Sequence, residues 1–180
     1  AAQSLKTLAA RDGADSWMQL AILSSVGNRR GQFLAALLSD HEARKTAHVR
    51  TLLSSITSQI GAANAKDDLA LFVRQLDVLS ADEKPLAEEL VKSLVSKQPA
   101  VRELLAGATG GKATAILNAM IRDAQVVARD EKKAPADRAA AVRTLATANL
   151  AELKTLFAEL LQSRQPQPVQ AAVLETLARF

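Results

Sequence analysis

The sequence predicts an all-α fold assembled from stacked helix pairs, and three observations carry that prediction. The first is periodicity. Apolar residues recur at spacings of three and four, as in Val49, Leu52, Leu53, Ile56 and Ile60, and rarely alternate with polar ones. The second is composition. Hydrophobic residues make up 48% and aromatics only 3%, so the core must be Leu, Ala, Val and Ile, and the aromatics that favour strands are nearly absent. The third is repetition. Residues 138 to 146 read RAAAVRTLA and residues 170 to 178 read QAAVLETLA; shifted by 32 they agree at Ala139/Ala171, Ala140/Ala172, Thr144/Thr176, Leu145/Leu177 and Ala146/Ala178. Gln19, Ala21 and Leu23 align as a third copy with Gln170, Ala172 and Leu174, and LKTL precedes two of the copies, at Leu5 to Leu8 and Leu153 to Leu156. A helix pair recurring at this interval is the mark of an α-solenoid, because one pair alone cannot bury its apolar face. The expected architecture is an α-α superhelix of HEAT/armadillo-like type with about five helix pairs, forming one segment over residues 1–180.

The elements follow in order. Leu5, Leu8 and Ala9 open a first short helix that ends at Asp12-Gly13. Asp15 or Ser16 caps the second, whose side-chain oxygen can accept a free N–H of the first turn. That helix carries Trp17, Leu20, Ala21 and Leu23 toward the core and stops near Gly27. Phe33, Leu34, Leu37 and Leu38 mark a third, ended at Ser39-Asp40, and the Val49 to Ile60 stripe a long fourth that ends at Gly61. Leu69, Phe72, Val73 and Leu76 give a fifth. Asp82 reads as the cap of the sixth, with Pro85 in its first turn, where a missing N–H costs nothing. Leu86, Leu90, Val91 and Leu94 form its stripe, before Pro99. Val101 to Ala106 is a short seventh, running into Gly107, Gly110 and Gly111. Ile116, Leu117, Met120, Ile121, Ala124 and Val127 mark the eighth. The last three are Ala136 to Ala148, Leu150 to Gln162 and Pro168 to Phe180.

Candidate chemistry is sparse. With no Cys there is no disulfide, thiolate zinc site or covalent haem attachment within these residues. The stretch GATGGKAT fails as a phosphate loop: Ala106 stands where the first Gly belongs, Ala113 where Ser or Thr belongs, and no strand precedes it. His41 and His48 are two helical turns apart, about 10.5 Å along an axis, too far to share a metal ion, and both read as exposed. Asp12 and Asp15 lack the further ligands of a calcium loop. Asp82, Glu83, Glu88 and Glu89 fit a polar face and a helix N-terminus. Ser24-Ser25 and Ser54-Ser55 have no readable His or Asp partner, and Trp17 reads as a packing residue. No catalytic, cofactor-binding or metal residue is nominated, and no cofactor is expected in this segment.

Twenty-three basic and 19 acidic residues give a net charge of +4 with both signs interspersed. Arg29-Arg30, Arg44-Lys45, Arg50 and Lys132-Lys133 are the cations from which a nucleic-acid surface would be built, although few aromatics stand beside them to stack on bases. A nucleic-acid-binding helical repeat is therefore the alternative to a protein-binding one. No apolar run reaches the roughly 20 residues of a membrane span. The chain begins without Met and inside a helical pattern, and stops at the end of one, which reads as a piece of a longer array.

Several stretches carry a family resemblance: ARDGADSWMQLAILSSV, IGAANAKDDLALFVRQL, APADRAAAVRTLA and above all LLQSRQPQPVQAAVLETLARF. Together they resemble the HEAT-like segment of bacterial PVC-type haem-binding CxxCH proteins, also described as membrane-bound-dehydrogenase-domain proteins. The likeness runs over roughly residues 5–180, strongest at Gln165-Pro166, Val169 to Ala172 and Leu177 to Phe180, and weakest from about 80 to 112. In that family the resemblance implies a sugar-dehydrogenase-type propeller, then this solenoid, then a c-type cytochrome module. It implies export to the periplasm and a role as spacer or docking platform for neighbouring domains or a redox partner. This chain carries no CxxCH, and no catalytic residue of the family transfers to it. The expected function is a non-catalytic scaffold. Replacing Ala140 or Ala172 with Leu is expected to overpack its stack.

Overall fold

A computed structural model describes residues 2–95 and 111–180. The described residues form an all-α fold. Ten α-helices run in order: α1 (Ala2–Asp12), α2 (Ser16–Val26), α3 (Arg30–Leu38), α4 (Ala47–Ala63), α5 (Lys66–Val78), α6 (Lys84–Val95), α7 (Lys112–Arg129), α8 (Pro135–Thr144), α9 (Leu150–Leu160) and α10 (Gln167–Leu177). Short 3-10 turns lie at Ala43–Lys45, Ala81–Glu83 and Leu145–Thr147. Ten of the eleven expected segments are thus present. The eleventh, Val101 to Ala106, lies outside the described residues with Pro99, Gly107 and Gly110.

Contacts group the chain into two compact units, Ala1–Ala115 and Ile116–Phe180. In the first, α1 packs on α2 and α3, α3 on α4 and α5, and α4 on α6. Helices thus meet next-but-one neighbours, α1 with α3, α3 with α5 and α4 with α6, a packing consistent with a helical solenoid. The apolar stripes decide which faces meet. Phe33, Leu34 and Leu37 on α3 are fully buried, as are Leu52, Leu53, Ile56 and Ile60 on α4, and Leu90 and Leu94 on α6.

Two devices bring these helices close. Gly31, near the start of α3, donates its N–H to the Asp68 carboxylate on α5 at 3.0 Å, so a side chain of one helix caps another. Gly61 on α4 faces the main chain of α6, where an added Cβ would overlap the Leu94 carbonyl. The sequence reading ended α4 at Gly61; the helix instead runs to Ala63 and closes on Asn64 in the left-handed conformation, φ 52°. The cap of the sixth helix also needs correcting. Ser80, rather than Asp82, starts the turn Ala81–Glu83, through a reciprocal capping box with Glu83. Asp15 caps α2 as expected, accepting from the Met18 N–H at 2.9 Å, and Gly27 ends it at φ 57°.

In the second unit α8 packs closely on α10, and α10 also meets α9. The Thr176 hydroxyl donates to the Val142 carbonyl at 3.3 Å, and Arg143 pairs with Glu175 at 2.8 Å. Helix starts repeat with the expected interval, but the buried positions do not. Ala139 and Val142 are buried on α8, whereas Val169, Ala172 and Val173 are buried on α10. Ala140 and Ala171 are exposed. The reason is geometric: two adjacent helices meet through opposing faces, so identical motifs present different sides to a shared contact. The overpacking expectation is corrected accordingly. Ala172→Leu is expected to cost about 1–3 kcal/mol. Ala140→Leu is expected to stay within about 0.5 kcal/mol. Thermal melts of the two variants check this, and equal shifts would contradict it. The third sequence copy is not equivalent either: Ala21 is exposed where Ala172 is buried, and the buried residues of α2 are Ile22 and Val26.

Candidate functional site

Helix α2 is built differently from its neighbours. Residues 16–26, SWMQLAILSSV, contain no charge, and apolar side chains stand all round the helix. One neighbouring layer cannot bury them all. Ile22 and Val26 are buried, while Gln19 reaches back to the Gly13 carbonyl at 2.6 Å and fixes the start of the helix. The opposite face carries Trp17, 79% exposed, and Leu20, 58% exposed, with Ala21 and Ser24 exposed beside them. Spacings of three, four and seven place these four on one face. Trp17 was expected to pack into the core; it points away from it instead, because α1 and α4 take up the other side of α2. An exposed Trp beside an exposed Leu, on a helix without charge, is the composition of a protein contact: large rigid apolar surface at low entropic cost. In the second unit α10 also exposes an apolar residue, Leu174 at 59%, with Phe180 beyond its end at 45%.

A second, polar feature lies between the Ala43–Lys45 turn and the start of α6. His41, Arg44, Lys45, Arg50, Asp82, Glu83, Pro85 and Leu86 line a cavity of about 180 Å³. The Arg44 guanidinium holds Glu83 through two bonds, of 2.5 and 2.8 Å, and donates to the Leu38 carbonyl. His41 Nδ1 lies 3.1 Å from Arg44 and 3.6 Å from Glu83. Burial opposes ionisation of Glu83. The Ser80 hydroxyl, the Ser80 N–H and Arg44 outweigh it and hold the carboxyl at about 2, against an ordinary 4.5. This arrangement ties the Ala43–Lys45 turn to the α6 cap.

A pH dependence follows. The folded value lies below the unfolded one, so between the two the unfolded chain binds the extra proton. The stabilisation from Glu83 is therefore present above about 4.5 and lost as pH falls toward about 2. Glu83→Gln is expected to lower stability at neutral pH, with a deficit that closes across that window. Denaturant melts of both proteins at several pH values check this, and a deficit independent of pH would contradict it.

The remaining candidates of the sequence separate rather than converge. His41 is exposed, whereas His48 is half-buried beside Gly13. Asp12 pairs with Arg11, Glu88 with Lys84, and Glu89 accepts from Ser54. Lys112 donates to the Leu79 carbonyl. Among the described residues no group of three His, Cys, Asp or Glu side chains could hold a metal ion. Of the cations considered for nucleic acid, Arg44 is committed to Glu83, Lys45 pairs with Glu42 at 2.8 Å, and Arg30 lies 4.0 Å from Asp68.

Comparisons with protein-family models, with curated proteins and with solved structures return no match. One expectation drawn from the family resemblance is corrected. The membrane-bound character in that family's description is not carried by this chain's described helices, none of which is long and apolar enough to cross a membrane. The sequence reading missed Trp17 and Leu20 as surface residues. The signal was present in the lack of charge from Ser16 to Val26, which leaves no polar side for solvent.

Proposed function

We propose that the chain is a non-catalytic HEAT-like scaffold, an α-α superhelical segment whose work is to present a docking surface to another protein. The observation that carries this reading is the outward face of α2, with Trp17 79% and Leu20 58% exposed on an uncharged helix. Next-but-one stacking of α1 on α3, α3 on α5 and α4 on α6 supports the solenoid half of the proposal. Such packing makes a stiff support on which a helix face is held ready, which lowers the ordering cost of binding. The resemblance to the solenoid between a dehydrogenase-type propeller and a c-type cytochrome module extends the proposal: the segment spaces two domains and docks one of them or a redox partner.

A photo-crosslinking residue placed at position 17, in the cell that makes this protein, tests the reading. It is expected to give one or two discrete products, and the same group at exposed Ala140 is expected to give none. Equal, diffuse labelling from both positions would sink the proposal.

A further inference from the structure

The outward face of α2 has an order as well as a composition, and the order is self-complementary. From N- to C-terminus the exposed residues run Trp17, Leu20, Ala21 and Ser24: two large side chains, then two small ones. Two copies laid side by side in the same direction would set Trp17 on Trp17 and Ser24 on Ser24, with a clash at one end and a gap at the other. Two copies laid antiparallel about a two-fold axis between Leu20 and Ala21 set Trp17 against Ser24 of the other copy and Leu20 against its Ala21. Each large side chain then meets a small one, the matching that close packing requires.

Charge follows the same order. Asp15 stands immediately before α2 and Arg29 in the turn after it; both are exposed. The Asp15 carboxylate uses Oδ1 to cap Met18, and neither residue makes an ion pair among the described residues. Antiparallel pairing brings the acidic end of each helix to the basic end of the other, twice per dimer. Parallel pairing brings like charges together.

From these two independent orders we infer that the partner of the α2 face is a second copy of this chain, docked antiparallel through α2. The inference rests on the reading of α2 as a docking surface and names its occupant. One short helix per protomer covers less than the roughly 1,200 Å² of a stable complex. The dimer is accordingly weak, with a Kd on the order of 100 μM.

Sedimentation velocity on the purified chain from about 1 μM to about 1 mM tests this, with the emission of the single Trp followed over the same range. Dimer fraction and a shift of Trp17 emission to shorter wavelength are expected to rise together. Leu20→Arg is expected to raise Kd at least about tenfold, with the melting temperature at dilution unchanged. Arg29→Glu is expected to weaken the dimer, and Asp15→Lys added to it to restore Kd to within about threefold of the parent. Because Asp15→Lys also removes a helix cap, Asp15→Asn is the companion variant: it keeps the cap and is expected to weaken the dimer alone. A chain that stays monomeric at about 1 mM would overturn the inference, as would a dimer indifferent to Leu20→Arg, or one whose Trp17 emission does not move. Crosslinks from position 17 to a different protein alone would overturn self-association and leave the docking reading standing. Equal labelling from positions 17 and 140 would remove both.

Discussion

Gly61→Ala is expected to destabilise the first unit by about 3 kcal/mol, although the same change in an exposed helix interior would stabilise it by about 1 kcal/mol. Gly61 lies in the last turn of α4 and is buried against α6. The obstacle to a Cβ is the Leu94 carbonyl, a main-chain group held in a helical turn that cannot swing aside as a side chain would. The two helices would have to separate. Leu53, Ile56 and Ile60 on α4, together with Leu90 and Leu94 on α6, would then lose contact at once. Truncating the neighbour gives no relief: Leu94→Ala leaves the carbonyl in place and adds a cavity costing about 2–5 kcal/mol. Denaturant unfolding of Gly61→Ala checks the prediction. A variant more stable than the parent would mean that helix propensity outweighs close approach at this position.

Arg138→Ala is expected to cost about 3–5 kcal/mol, the larger loss in the second unit. Arg138 is 2% exposed, an unusual place for a guanidinium. Its Nε donates to the Ala128 carbonyl at the end of α7, at 2.9 Å, and one Nη donates to Gln165 Oε1 at 2.7 Å. Gln165 in turn donates to Glu131 at 3.2 Å. One side chain on α8 thus binds the C-terminal end of α7, where a positive charge is favoured, and the turn before α10. Removing it leaves buried acceptors without donors, and that penalty exceeds the value of the bonds themselves. Arg138→Lys is expected to recover little, since an ammonium cannot span both acceptors in the planar fork. Arg143, on the same helix, supplies the contrast. Its pair with Glu175 is about half exposed on both sides, and Arg143→Ala is expected to cost less than about 1 kcal/mol. Unfolding curves for both variants check the pair of expectations. Similar losses would mean that burial does not separate the two arginines.

These two residues also mark where the sequence was legible and where it was not. The ten described helices and most of their boundaries followed from spacing alone, because stripes such as Val49 to Ile60 repeat over several turns and leave one solution. Local caps were readable where they are truly local: Asp15 bonds three residues ahead, and Gly27 needs positive φ. Long-range roles were not. Gly61 reads as a stop signal until α6 lies against it, and Arg138 is only the first letter of a repeat until Ala128 and Gln165 surround it. Ser80 was overlooked beside the more obvious Asp82 because its capping box spans a 3-10 turn. Repetition over-reached in the same way. The shared motif of α8 and α10 gave the interval, but Ala140 and Ala172 face opposite environments because the two helices meet through opposing faces.

Site residues were hidden by a related cause. A Trp in an apolar helix reads as core, since sequence does not say how many layers flank the helix. Trp17 is outward because α1 and α4 already occupy the other side of α2. Its neighbours Leu20, Ala21 and Ser24 then become a surface, and the lack of charge from Ser16 to Val26 becomes the character of that surface.

Collisional quenching of the single Trp by acrylamide, in the dilute purified chain, tests this central point most directly. The account predicts quenching close to that of free indole, because Trp17 is 79% exposed, with an unchanged helical circular dichroism spectrum. A Trp17 shielded at a concentration where the chain is monomeric would contradict it. The face of α2 would then turn inward, and the docking surface argued from it would not exist.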